Sequence, residues 1–261
     1  AKSGGGITYL RNILPLLAED QELEIHLFLH RDQFKLFDFL EEGIRIHLLN
    51  FHNSFFNNLF WEQFSLPILA NIMSVDVTVS PANYGPLMAP AQIIILRNSL
   101  AVASKETRPI KRLYWGGLTL MTALSLLTCR RAIAVSDYAR KALTFGLSKR
   151  FQKKVTVVYH GVGEKFNADV SIERQNFLLA VSDIYVQKNL HTLIRALEEV
   201  RKTFPDIVLK IAGKAIDLGY FNEIQRVLNH ANMNDAVEFL GEKKTDELVA
   251  LYQQCKLFIF P

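Results

Sequence analysis

Short apolar runs alternate with helical stretches along almost the whole chain, and this alternation constrains the fold more than any other feature. The runs expected to form strands are 23–29, 44–49, 75–80, 93–96, 132–135 and 155–159, then a second series at 177–181, 208–212, 237–240 and 257–260. Some are apolar throughout, as in Ile93-Ile94-Ile95-Leu96, the pattern of strands covered by helices on both faces. Between them, Ile7, Leu10, Ile13, Leu14 and Leu17 recur at helical spacing, as do Leu190, Leu193, Ile194 and Leu197. Strands alternating with helices predict an α/β fold with parallel, doubly wound sheets. The polar, aperiodic stretch 161–175 reads as a linker, which divides the chain into an expected N-terminal domain, 1–165, and a C-terminal domain, 166–261.

Composition excludes several classes. Of the 261 residues, 49% are hydrophobic and 21% charged, which is globular and neither disordered nor fibrous. A chain of this length builds a core without disulfides. Cys129 and Cys255 are too few and too far apart for a disulfide framework or a zinc site, and they fit a reducing, cytoplasmic setting. A net charge of +4 favours anionic ligands or a membrane surface and is too weak to imply nucleic acid. The chain opens without methionine and ends on the apolar Leu257–Pro261, so it reads as a fragment of a longer protein.

One segment is read two ways. Leu113–Cys129 is free of charge, flanked by Lys111-Arg112 and Arg130-Arg131, and shorter than the ~20 residues of a membrane span. Its leucines at 120, 124 and 127 suit a helix buried on the first sheet. Its basic flanks suit a peripheral contact with lipid phosphates.

Two turns are suited to anions. Gly4-Gly5-Gly6 precedes the helix that starts near Ile7, where free amides and the helix dipole attract phosphate. It is neither the dinucleotide fingerprint nor a P-loop, and a plain glycine turn accounts for it equally. The second turn, Asp183 to Asn189, follows a strand and precedes a helix, so Lys188 stands where open α/β sheets bind ligands. A solvated surface lysine is the plain alternative. His26 and His30 share a strand parity without a third ligand and are expected half-exposed; His47 is expected in solvent, and His160 near the domain junction. No D-x-D motif offers a seat for a divalent metal.

In order, these residues resemble the retaining nucleotide-sugar glycosyltransferases of group 1 (family 4), which have the GT-B fold. Gly4-Gly5-Gly6 resembles the family's N-terminal glycine loop. Ile133–Tyr138 resembles "vvavSeys", with Ser136 able to cap a helix. Val157–Val162 resembles "viyNGvd", with His160 in place of asparagine. Lys188-Asn189-Leu190 with Leu193–Ala196 resembles the "KN…LirA" donor-phosphate segment. Leu209–Gly213 resembles "lviaG", and Val237–Gly241 with Asp246–Leu248 resembles "vrFlG…deL". Phe258–Pro261 resembles the strand opening the E-x7-E segment. Three departures stand out: Asp183 replaces the usual arginine, Arg97-Asn98 replaces His-Asp, and the glutamate pair would fall beyond Pro261.

The resemblance implies two Rossmann-like domains facing a cleft, the second incomplete, with Gly4–Gly6 and Lys188 turned toward each other. It implies transfer of a sugar from a UDP- or GDP-sugar to a glycan or glycolipid hydroxyl with retention, without metal or other cofactor. The setting implied is cytoplasmic, at the inner membrane face. The implied catalytic residues are Arg97 and Lys188. Donor binding falls to Gly5, Gly6, Ser182, Asp183, Lys188, Asn189, Gly213, Leu240, Gly241 and Lys243, and acceptor binding to Tyr84 and Asn98. Two other classes share parts of this pattern: an inactive GT-B-like binding module, which Asp183 favours, and a periplasmic-type binding protein, which an upstream signal peptide would mark.

Overall fold

The computed structural model describes residues 5–37, 43–97, 109–144, 149–167 and 171–260. The chain divides into two compact units, Ala1–Gly161 and Val162–Pro261.

Unit 1 opens with helix α1 (Gly5–Ala18), then strands β1 (Ile25–His30) and β2 (Ile44–Leu49), which pair in parallel. Ile7, Leu10 and Leu14 of α1 pack on Leu29, Phe37 and the inner residues of both strands. Helix α2 (Phe55–Phe60) continues through a π turn at Trp61–Ser65 into α3 (Leu66–Ile72). Pro67 explains the π turn, since it has no N–H for the ladder and its ring crowds the preceding turn. Ser54 caps α2 by accepting the Asn57 amide at 3.3 Å. Then come β3 (Val79–Ser80), β4 (Ile93–Leu96), helix α4 (Pro109–Thr128), β5 (Arg131–Ala134), α5 (Asp137–Leu143), α6 (Lys149–Gln152) and β6 (Val155–Val157). The last four strands form one parallel sheet in the order β3-β4-β5-β6.

Unit 2 has β7 (Phe177–Val181), α7 (Leu190–Arg201), β8 (Val208–Ala212), α8 (Leu218–His230), β9 (Val237–Gly241), α9 (Thr245–Gln254) and β10 (Leu257–Phe258). All strands are parallel, in the order β10-β7-β8-β9. Read from the other edge this is the 3-2-1-4 order of a Rossmann half, so the chain reverses direction between β7 and β10. One core runs through the unit: Leu193, Ile194 and Leu197 of α7 and Ile224 and Leu228 of α8 close over Leu209 and Ile211. Each such side chain, fully buried, stabilises the fold by about 1.5–3 kcal/mol. The segment before β7 packs on this unit, with Phe166 edge-on to Tyr252 at 5.7 Å and Lys165 paired with Asp246 at 3.3 Å.

The strand expected at 75–80 shortens to Val79–Ser80, and three side-chain placements differ from expectation. The leucine stripe of α4 does not face the sheet: Leu120 and Leu127 are exposed, whereas Thr122, Ser125 and Leu126 are buried. The hydroxyls tolerate burial because Thr122 donates to the Leu118 carbonyl and Ser125 bonds the Gly85 backbone. His30 is buried rather than half-exposed, with Nε2 2.7 Å from Asn58 Oδ1. His47 is half-buried, stacked on Phe28 at 4.6 Å and on His26 at 5.1 Å, because aromatic side chains fill that face. Among the described residues no helix is long and apolar enough to cross a membrane.

Candidate functional site

In unit 1 the carboxyl ends of the strands gather around Arg97. This residue follows β4, where Leu96 is buried, so its backbone is fixed. Its amide donates to Asn83 Oδ1 at 2.8 Å and its Nη1 to the Pro81 carbonyl at 3.4 Å, both in the loop after β3. The guanidinium lies 5.9 Å from the Tyr9 ring centroid on α1, and Tyr9 lies 5.4 Å from the ring of His160, which follows β6. A Cβ on Gly6 would sit 2.8 Å from Arg97 Nη1, so glycine lets the cation reach the first turn of α1. Burial pulls the Arg97 pKa down and pushes the Tyr9 phenol up, the cation opposing the latter. Arg97 Nε is buried without a hydrogen-bond partner. A cation so held, with an unspent donor, suits an anionic ligand.

Beside it, the Tyr84 phenol is pushed up to about 12 by burial, with Glu62 and Tyr114 adding to the shift. Glu62, in the π turn, is pushed up to about 7 by burial. The sequence reading missed Glu62, yet a signal was there: between Arg45 and Asp76 it is the only Asp, Glu, Lys or Arg. Asn98, expected beside Tyr84, and Gly4 lie outside the described residues.

In unit 2 the predicted donor residues come together at the carboxyl ends of β7, β8 and β9. Ser182 donates its amide to the Ala212 carbonyl at 2.9 Å, and Gly213 donates to the Gly241 carbonyl at 2.8 Å. A Cβ on Gly213 would stand 1.9 Å from the Ser182 carbonyl oxygen, so only glycine fits. Asp183 Oδ1 accepts the Lys214 amide at 3.1 Å. It therefore braces the β7–β8 corner and is not paired with Lys188.

Lys188 is half-buried in the 3₁₀ turn Val186–Lys188, with Nζ 5.6 Å from the Tyr185 ring and 4.8 Å from that of Phe260. Tyr185 follows β7 and Phe260 follows β10, so the ammonium stands at the point where the strand order reverses. Among the described residues no carboxylate pairs with it. Asn189 adopts the left-handed conformation, φ 48°, which asparagine tolerates better than most side chains. It precedes α7, and the Thr192 hydroxyl donates to its side-chain oxygen at 2.9 Å.

Two predicted features are used locally. The Leu190 amide, first in α7, donates to the Tyr220 hydroxyl at 2.9 Å, so one helix-terminal donor is already spent on the protein. Lys243 pairs with Glu247 at 3.1 Å, and Glu247 also accepts the Lys244 amide at the start of α9. Leu240 is half-buried beside Gly241, whose φ is 68°. Among the described residues no three His, Cys, Asp or Glu are placed to share a metal ion.

Comparison with known structures decides the architecture. Anabaena HepE, solved with UDP and glucose, aligns over 98% of this chain and 70% of its own at a TM-score of 0.71 and 14% identity. Sucrose-phosphate synthase of Thermosynechococcus elongatus aligns over 99% and 70% at 0.75, also with 14% identity. The fold is that of GT-B glycosyltransferases. Residues 163–261, nearly all of unit 2, match the family described as "Glycosyl transferases group 1". The O-antigen chain mannosyltransferase RfbU of Salmonella typhimurium is 24% identical over 178 residues, 65% of this chain and 47% of that protein. The chain thus spans about half the length of this curated relative.

Proposed function

We propose that this chain is part of a retaining glycosyltransferase. The reaction moves a sugar from a UDP- or GDP-sugar to a glycan or glycolipid hydroxyl, in the synthesis of a cell-surface polysaccharide or lipopolysaccharide. One observation carries the reading: an unpaired lysine, Lys188, at the reversal point of a 3-2-1-4 parallel sheet, where such sheets bind nucleotides. The group 1 match over unit 2 and the UDP bound by HepE support the same donor class.

In this reading Lys188 meets the donor diphosphate. Negative charge grows on the leaving diphosphate as the glycosidic bond breaks, so a fixed cation stabilises the transition state more than the ground state. Arg97 is assigned to the reacting sugar or the acceptor. Its guanidinium is held by Pro81 and Tyr9, so it needs little reorganisation as charge develops. Leu240, Gly241 and Lys243 are assigned to the nucleobase, and Tyr84 to the acceptor. The diphosphate charge is met by protein groups, which makes the reading metal-independent, at the cytoplasmic face of the membrane.

The test is transfer by the whole protein from a panel of UDP- and GDP-sugars, with the anomeric configuration of the product read by NMR. A product with the donor's configuration is expected. An inverted product contradicts the retaining mechanism, and donor binding without turnover supports an inactive binding module instead.

A further inference from the structure

The π turn of unit 1 and the loop after β3 are fastened to each other. Gln63 Nε2 donates to the Gly85 carbonyl at 3.1 Å, and Gln63 Oε1 accepts the Leu87 amide at 3.1 Å. The Gly85 amide donates to the buried Ser125 Oγ at 3.2 Å, and a Cβ on Gly85 would collide with the Ser80 hydroxyl. The residues just before these, Glu62 and Tyr84, are thereby set near each other, and the Glu62 charge bears on the Tyr84 phenol. Both side chains are half-buried. Among the described residues neither the Glu62 carboxyl nor the Tyr84 hydroxyl has a hydrogen-bond or ion-pair partner. Burial without a partner is costly for a carboxylate, and it pushes the Glu62 pKa up to about 7. Unspent polar groups of this kind mark a place where a ligand supplies the missing bonds. Tyr114 of α4, whose charge also bears on Tyr84, adds a ring that is 45% exposed and lies 5.2 Å from that of Phe55.

We propose that Glu62 and Tyr84 hold a neutral sugar of the acceptor through a pair of its hydroxyls, an assignment that rests on the transferase reading. A sugar hydroxyl is both donor and acceptor. One hydroxyl donates to the Glu62 carboxylate, and its neighbour accepts from the Tyr84 O–H. The Tyr84 phenol, pushed up to about 12, remains a donor throughout the neutral range. A phosphate or carboxylate ligand would set like charge against Glu62, which no Lys or Arg among the described residues offsets. An ammonium ligand would leave the Tyr84 O–H without an acceptor. Only the hydroxyl pair answers both groups, and the Tyr114 ring offers apolar surface for the C–H face of the same sugar. The place suits an acceptor as well. Asn83, next to Tyr84 in the loop, fixes the Arg97 amide at 2.8 Å, so the acid–phenol pair and the cation of unit 1 are carried by one short segment.

Ligand-observed NMR titration of the purified whole protein, without donor, tests this with the methyl glycosides of mannose, galactose and glucose and with their 6-phosphates. At pH 8 wild type is expected to bind at least one neutral glycoside about tenfold more tightly than its 6-phosphate. Glu62→Gln and Tyr84→Phe, each close to isosteric, are each expected to weaken that glycoside about tenfold, with Glu62→Gln melting no lower than wild type. The ionised carboxylate is the stronger acceptor, so wild-type affinity should rise as pH passes up through 7, while that of Glu62→Gln stays level, a slope that a purely structural role would not give. The titratable groups gathered with Glu62 are the Tyr84 and Tyr114 phenols. Failure of every neutral glycoside to bind overturns the proposal, as does tighter binding of the 6-phosphates. Equal affinity in wild type and Glu62→Gln assigns the carboxyl to the fold alone and overturns it too. No donor is present, so these failures leave the transferase reading standing. Glycoside binding that Glu62→Gln weakens, in a protein that transfers no sugar, sustains the site and contradicts that reading instead.

Discussion

The two units end their parallel sheets differently. In unit 2 the strand ends are tied backbone to backbone: Ser182 to Ala212, Gly213 to Gly241, Ile184 to Lys214. In unit 1 the strand ends carry such ties too, Val135 to Leu96 and Val158 to Ala134, and side chains add to them, with Asn83 on the Arg97 amide, Arg97 on the Pro81 carbonyl, and Tyr9 against both Arg97 and His160. Backbone ties hold a rigid platform that tolerates few substitutions. Side-chain ties hold a surface that can be rebuilt for another ligand. Under the proposed function that contrast suits a donor site on unit 2, where the family match falls, and a varied acceptor on unit 1.

The largest expected effect tests the platform. Gly213→Ala places a Cβ 1.9 Å from the Ser182 carbonyl, backbone against backbone, and is expected to cost at least about 3 kcal/mol in urea unfolding. A mild loss would mean that the unit 2 edge yields as readily as that of unit 1.

Next comes Glu62, which belongs to unit 1. Its folded pKa of about 7 lies above the unfolded value near 4.5, so the native state holds the proton more tightly. Stability from this group is complete below about pH 4.5 and is lost as pH rises through 7, by about 1–3 kcal/mol. Glu62→Gln should remove that slope, so the variant is more stable than wild type at pH 8 and not at pH 4.5. Parallel melting curves at both pH values would place the Glu62 carboxyl in water.

Tyr220→Phe removes the acceptor of the Leu190 amide, and about 1–2 kcal/mol is expected in thermal unfolding of unit 2. Gly6→Ala is the mildest for stability. Its Cβ meets only the movable tip of Arg97, so the change should stay within about 1 kcal/mol, while sugar transfer falls as the guanidinium is displaced. Transfer at the wild-type rate would remove Arg97 from the site.

The same contrast explains what the sequence disclosed. β7 and β8 were legible to the residue, because strands buried on both faces are apolar, β7 without interruption and β8 but for Lys210. Lys188 was legible from its place between a strand and a helix. The edge of unit 1 was not. The partners of Arg97 come from α1 and from the loop after β3, and Tyr9 in turn meets His160 after β6, a convergence that no local spacing encodes. The α4 stripe misled for a related reason: Thr122, bonded within its own helix, and Ser125, bonded to Gly85, are buried where leucines were expected. Tyr220 was invisible as a cap on α7 because it arrives from α8, thirty residues later.

The central claim is that Lys188 holds the donor diphosphate. Titration calorimetry of UDP and GDP into the whole protein, wild type and Lys188→Ala, tests it directly. A charge-assisted phosphate contact contributes about 1.5–3 kcal/mol, so the preferred diphosphate should bind about tenfold to a hundredfold more weakly to the variant, at the same melting temperature. Equal affinity in a variant of unchanged stability would make Lys188 a surface lysine stacked on two rings and would contradict the account.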